Sequence, residues 1–113
     1  MIQNWKIQPV DTNQYAFINQ QTGMCLNVPE SKTTPVQIIQ YPCEPYGSNA
    51  LWTLLSSNGA WKISNVNSGA VLEVLDGLTA DGSVVRQYAD SDGSNQRFSF
   101  STGNPGKFDE NSA

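Results

Sequence analysis

Apolar residues along this chain come in short runs rich in Val, Ile, Leu, Trp, Tyr and Phe, and the runs are cut by Gly, Asn, Asp and Ser. β-Branched and aromatic side chains suit a pleated, half-buried surface, so the runs read as strands. They are expected near 4–8, 15–19, 24–28, 36–41, 51–55, 60–64, 70–74, 83–88 and 96–100. Asp11-Thr12-Asn13, Gln21-Thr22-Gly23, Ser57-Asn58-Gly59, Asn67-Ser68-Gly69, Asp81-Gly82 and Asp92-Gly93 are turn signals, because Gly and Asn tolerate positive φ. No segment sustains a helical period, which predicts an all-β chain.

One pattern is written twice. Phe17-x-Asn19-x-x-Thr22-Gly23-x-x-Leu26-x-Val28 returns as Ile63-x-Asn65-x-x-Ser68-Gly69-x-x-Leu72-x-Val74, shifted by 46 residues (63 − 17 = 46). An aromatic closes each unit: Trp5, Trp52 and Phe98, spaced 47 and 46 apart (52 − 5 = 47; 98 − 52 = 46). A fixed period of roughly 20 to 50 residues marks a supersecondary unit copied in tandem, whose copies share one core. The chain thus opens on the end of one unit (1–14) and carries two whole ones (15–60 and 61–100), followed by a polar tail (101–113).

Composition narrows the partners. A chain of 113 residues makes one domain that buries about two-thirds of its unfolded surface, enough for one modest core. The net charge of −4, with Lys6, Lys32, Lys62, Arg86, Arg97 and Lys107 dispersed, argues against nucleic acid, whose phosphates need clustered cations. Only 14% of residues are charged, and Asn, Gln, Ser and Thr stand in their place, a surface suited to neutral polar ligands such as sugars. No run approaches the roughly 18 apolar residues of a membrane span. The first ten residues lack the basic start and apolar run of a signal peptide.

The repeated residues resemble the ricin B-type lectin domain, a β-trefoil of three repeats. Its motif of an apolar strand with Asn, then Ser/Thr-Gly, then Cys-Leu-Asp-Val, then Gly-x-x-Val-x-x-aromatic, then Gln-x-Trp is similar to both copies over residues 3–100. The resemblance implies twelve strands, of which nine are readable here, and the tail looks too short and polar to supply the rest. An incomplete trefoil exposes apolar surface and strand edges. A homo-oligomer, a partner chain or residues outside this sequence is therefore expected to complete the fold.

Cys25 and Cys43 fall where the family carries a disulfide within a repeat; the second copy has Val71 and Ala89 or Asp90 there, so both partners are lost together. The alternative is two unrelated buried thiols. The disulfide implied by the resemblance fits a secreted or extracellular protein. Two cysteines and no histidine cannot fill a tetrahedral metal shell, and no cofactor is expected.

Family members hold a sugar in a shallow pocket built from an acidic residue, an aromatic and an Asn-Gln pair. Carboxylates accept from hydroxyls, a ring face packs on the C–H side of a sugar, and amides both donate and accept. Carried over, the second repeat offers Glu73, Tyr88, Asn95 and Gln96, with Arg86 in place of a family glutamine. The alternative makes Glu73 a solvated strand residue, Tyr88 core packing and Gln96 a structural bond to backbone. The first repeat is weaker, with Asn27 at the acidic position, Ile39 and Ala50 at the two glutamines, and only Tyr41 and Asn49 matching. Trp5, Trp52, Phe98, Tyr15 and Trp61 read as core rather than sugar platforms.

Catalysis is not expected: there is no histidine, and most of Glu73, Asp76, Asp81, Asp90 and Asp92 lie in turns. The lectin reading, with galactose, N-acetylgalactosamine or a related glycan as partner, competes with a trefoil scaffold that binds a protein as an inhibitor or toxin subunit. A third reading joins them as the targeting module of a glycosidase or toxin.

Overall fold

The computed structural model describes residues 2–75, 85–100 and 107–109, with side chains described over 5–75 and 85–99. Its strands are β1 (Ile2–Asp11), β2 (Gln14–Asn19), β3 (Cys25–Asn27), β4 (Val36–Gln37), β5 (Ile39–Tyr41), β6 (Trp52–Ser57), β7 (Ala60–Asn65), β8 (Val71–Val74), β9 (Val85–Tyr88), β10 (Ser99–Phe100) and β11 (Lys107–Asp109). The run at 36–41 is two strands rather than one, because β4 pairs with β9 and β5 with β3, and Ile38 between them is buried in the core. The run at 96–100 begins as a 3-10 turn, Ser94–Gln96, before β10. Residues 83 and 84 of the expected strand 83–88 lie outside the described residues.

The Asn-x-x-Thr/Ser-Gly motif folds as an Asx turn. Asn65 Oδ1 accepts from the backbone N–H groups of Asn67 and Ser68, both at 3.1 Å, while Gly69 N–H donates to the Asn65 carbonyl at 2.8 Å. Gly69 sits at φ +75°, which an L side chain resists. Asn19, Thr22 and Gly23 repeat the arrangement. A side chain satisfying its own backbone thus turns β2 into β3 and β7 into β8.

Six strands close into a ring. β10, β11, β1, β2, β6 and β7 are hydrogen-bonded neighbours in that order, and the ring shuts where Trp61 of β7 bridges Phe98, next to β10. Trp61 N–H donates to Phe98 O at 2.9 Å, and Phe98 N–H returns to Trp61 O at 2.8 Å. The same bridge occurs one repeat earlier between Tyr15 and Trp52. β11 lies inside the stretch expected to be a mere tail. It supplies the ring strand that the third repeat was expected to lack, so the shortfall is smaller than nine strands in twelve suggested. Three residues without apolar alternation gave no strand signal. Among the described residues, the third repeat adds no outer hairpin; the first adds β3–β5 and the second β8–β9.

Trp5, Trp52 and Phe98 converge in one core with Phe17, Ile63, Leu26, Leu72, Val28 and Val74. Burying each such side chain is worth about 1.5–3 kcal/mol. Trp52 Nε1 also donates to the Leu26 carbonyl at 3.2 Å, tying the ring to the first hairpin. Tyr15 packs against this core, whereas Trp61, expected inside, is 36% exposed on the rim. Cys25 and Cys43 form a disulfide across 18 residues. The buried Cys25 belongs to a second cluster with Ala16 and Leu51.

Candidate functional site

The structure gathers the five residues expected of the second repeat. Glu73 on β8 faces Arg86 on β9 in register. Arg86 Nε donates to Glu73 Oε2 at 2.7 Å, and Gln96 Nε2 donates to Glu73 Oε1 at 2.9 Å. Both carboxylate oxygens are therefore engaged inside the protein, and Glu73 is only 4% exposed. It is not the solvated strand residue of the alternative reading. Gln96, fully buried, also donates to Ala89 O at 3.0 Å and accepts from Ser91 N–H at 3.0 Å, so it binds the acid and the backbone together.

Tyr88 stays at the surface rather than in the core. The Arg86 guanidinium lies over its ring, 4.3 Å from the centroid, within cation–π distance. Asn95 Nδ2 donates to the Val74 carbonyl at 3.0 Å, which pins the 3-10 turn to the end of β8. That contact needs glycine nearby, since a Cβ on Gly93 would stand 2.7 Å from Asn95 Oδ1. The outcome is a half-exposed guanidinium backed by a buried carboxylate and set beside an aromatic ring.

The first repeat keeps the frame and loses the chemistry. Asn49 Nδ2 donates to Val28 O at 3.0 Å, as Asn95 does to Val74, and also to Asn27 Oδ1 at 3.3 Å. Asn27 is buried, Tyr41 is exposed, and Ile39 and Ala50 carry no polar side-chain group where Arg86 and Gln96 stand.

Two features went unread in the sequence. Gln87, fully buried on β9, donates through Nε2 to the carbonyls of Lys32 and Thr34, each at 2.8 Å, and its Oε1 accepts from Ser68 Oγ at 2.7 Å. Its counterpart Gln40 accepts from Thr22 Oγ1 at 2.9 Å but is exposed. The paired Gln and Thr/Ser positions were the available signal. Secondly, Lys62 Nζ bridges Asp90 and Asp92, both at 3.0 Å, and Arg97 donates to Asp92 O at 3.1 Å. The Asp90 and Asp92 hydrogen bonds hold the Lys62 ammonium above its ordinary value, and the Lys62 bond holds the Asp90 carboxyl below its own. Among the described residues, no group of three or more His, Cys, Asp or Glu is placed to hold a metal, and no helix is long and apolar enough to cross a membrane.

A closed six-stranded ring with hairpins over it is the architecture of a β-trefoil. The sequence profile of the ricin-type β-trefoil lectin domain-like family matches residues 2–88 and 48–109, and the chain belongs to that family. The solved structures it resembles include ThreeFoil, a designed three-fold symmetric protein, at 30% identity and TM-score 0.77, covering 82% of this chain and 67% of that one. An exo-β-1,3-galactanase from Clostridium thermocellum is 27% identical with TM-score 0.77, covering 84% of this chain and 21% of that one. A Polyporus squamosus lectin shares the fold at 23% identity and TM-score 0.71, covering 82% of this chain and 33% of that one. No curated protein matches the chain at a significant level. The chain thus spans only a fraction of the galactanase and lectin chains it resembles.

Proposed function

We propose that this carbohydrate-binding module takes a galactose-type glycan at the second repeat, without catalysing a reaction on it. The observation that carries the reading is the Arg86–Tyr88 pair. Glu73 and Gln96 fix the guanidinium over the ring, leaving Arg86 as the outward hydrogen-bond donor and Tyr88 as the platform. Glu73 then acts through Arg86 rather than accepting a hydroxyl directly. The galactanase likeness supports a galactose-type ligand. A single site of this kind binds on the order of millimolar, about −4 kcal/mol, so useful avidity comes from several copies or a tethered partner domain. Titration with galactose and N-acetylgalactosamine tests it. Binding should fall at least tenfold in Arg86→Ala and in Tyr88→Ala, and unchanged affinity in both would refute the site.

The first repeat supports a second reading, contact with another chain. β9 carries β4 on its outer edge, whereas among the described residues β5 pairs with β3 alone, and Ile39, Tyr41 and Met24 are exposed there. Bare edges and apolar side chains invite a covering strand. In this reading a second copy or another polypeptide completes the third repeat. Native mass measurement checks it, a strictly monomeric protein counting against. The disulfide fits a secreted or extracellular setting.

A further inference from the structure

Between the repeats lies a cleft of about 480 Å³ that the Glu73 cluster does not use. Thr33 and Pro35, leading into β4, form one wall; Gly69 and Ala70, leading into β8, form the other; Tyr88 and Asp90, at and beyond the end of β9, lie between them. The sheet order β8–β9–β4 dictates that arrangement, and the volume lies within the roughly 300–1,000 Å³ of small-ligand sites. One buried side chain sets its width. Gln87 grips the carbonyls of Lys32 and Thr34 on one side and the Ser68 hydroxyl on the other, so both walls are anchored beneath the floor. Gln40 in the first repeat keeps only the Thr22 contact, and its outer edge carries no strand among the described residues.

We infer that this inter-repeat cleft is a second sugar subsite, so that the ligand is an oligosaccharide laid across Tyr88 rather than a single ring. The inference rests on the carbohydrate reading above. The Arg86 guanidinium lies over the Tyr88 ring, and Tyr88 also lines the cleft, so one residue borders two adjoining sugar units. Pro35 and Tyr88 offer apolar surface to sugar C–H groups. The Thr33 hydroxyl and the Asp90 carboxylate provide hydrogen-bonding groups, and Lys62 and the Asp92 N–H hold Asp90 in place. Apart from Asp90 the six named lining residues carry no charge, which suits a neutral polyhydroxylated chain.

Calorimetric titration of the whole chain with galactose and with a β-linked galactobiose decides the point, with backbone amide shifts followed in parallel. The disaccharide should bind at least tenfold tighter than galactose and shift the amides of Thr33, Ala70 and Ala89. Thr33→Trp, which fills the cleft from an exposed position, should reduce the disaccharide to galactose-level affinity while leaving galactose binding and the melting temperature unchanged. Equal affinity for the two sugars, shifts confined to residues around Glu73 and Gln96, or a Thr33→Trp variant that binds galactobiose normally would each overturn the subsite alone. Binding of neither sugar would overturn the carbohydrate reading and the subsite with it.

Discussion

Gln96 donates to Glu73 across 23 residues of sequence, at 2.9 Å and out of contact with solvent. Where the first repeat has Ala50 and Asn27 at the same places, that bond is absent. The acid is tolerated inside the second repeat because two donors meet it, and the donors are oriented because the acid is there.

Glu73→Gln should therefore destabilise the fold. A hydrogen bond to a charged group contributes about 1.5–3 kcal/mol, and the substitution also leaves the Arg86 cation without its counter-ion. Urea unfolding should show a loss of about 2 kcal/mol; a loss below about 0.5 kcal/mol would mean that the cluster adds little to stability.

Asn49→Ala and Asn95→Ala should cost about the same, about 1 kcal/mol each, since each side chain satisfies one backbone carbonyl at 3.0 Å. The comparison separates frame from site: both variants lose stability, but only Asn95→Ala should also weaken sugar binding.

The disulfide closes an 18-residue separation in one repeat only. Replacing Cys25 and Cys43 together with Ser should lower stability by about 3 kcal/mol in the chain-entropy model. Equilibrium unfolding of the double variant beside the oxidised parent gives the number directly.

Acid and base should each weaken the Lys62–Asp90 contact. Asp90 is held below its ordinary 3.8, so its contribution is present above that pH and is lost as pH falls through the folded value. Lys62 is held above its ordinary 10.5, so its contribution is complete below that pH and is lost as pH rises through the folded value. Melting temperatures of the parent and Lys62→Met should differ most between these limits and converge beyond either of them.

The repeat and the places of its turns were legible because their cause is local: Asn65 and Ser68 accept from backbone N–H groups two or three residues away. The core aromatics were legible for a related reason, since their spacing is the period itself. Trp61 was not, because it shares the period yet stands on the rim. The types gathered around Glu73 could also be read, but not that Arg86 and Gln96 would occupy both of its oxygens. Gln87 and Gln40 look alike in sequence, and only the loop at 32–34, 53 to 55 residues away, makes one a buried anchor and leaves the other exposed. Lys107–Asp109 becomes a strand because β1 and β10 both offer it an edge.

That last strand makes the ring a clasp. Ile2 stands opposite Asp109, so β1 waits for a strand made much later in synthesis. A ribosome-bound chain that has not yet reached residue 107 leaves β1 with an open flank, and a truncation there would do so permanently. Joining Ile2 to Asp109 through a short linker and cutting at the exposed Asn58-Gly59 turn would move the seam without removing a stave.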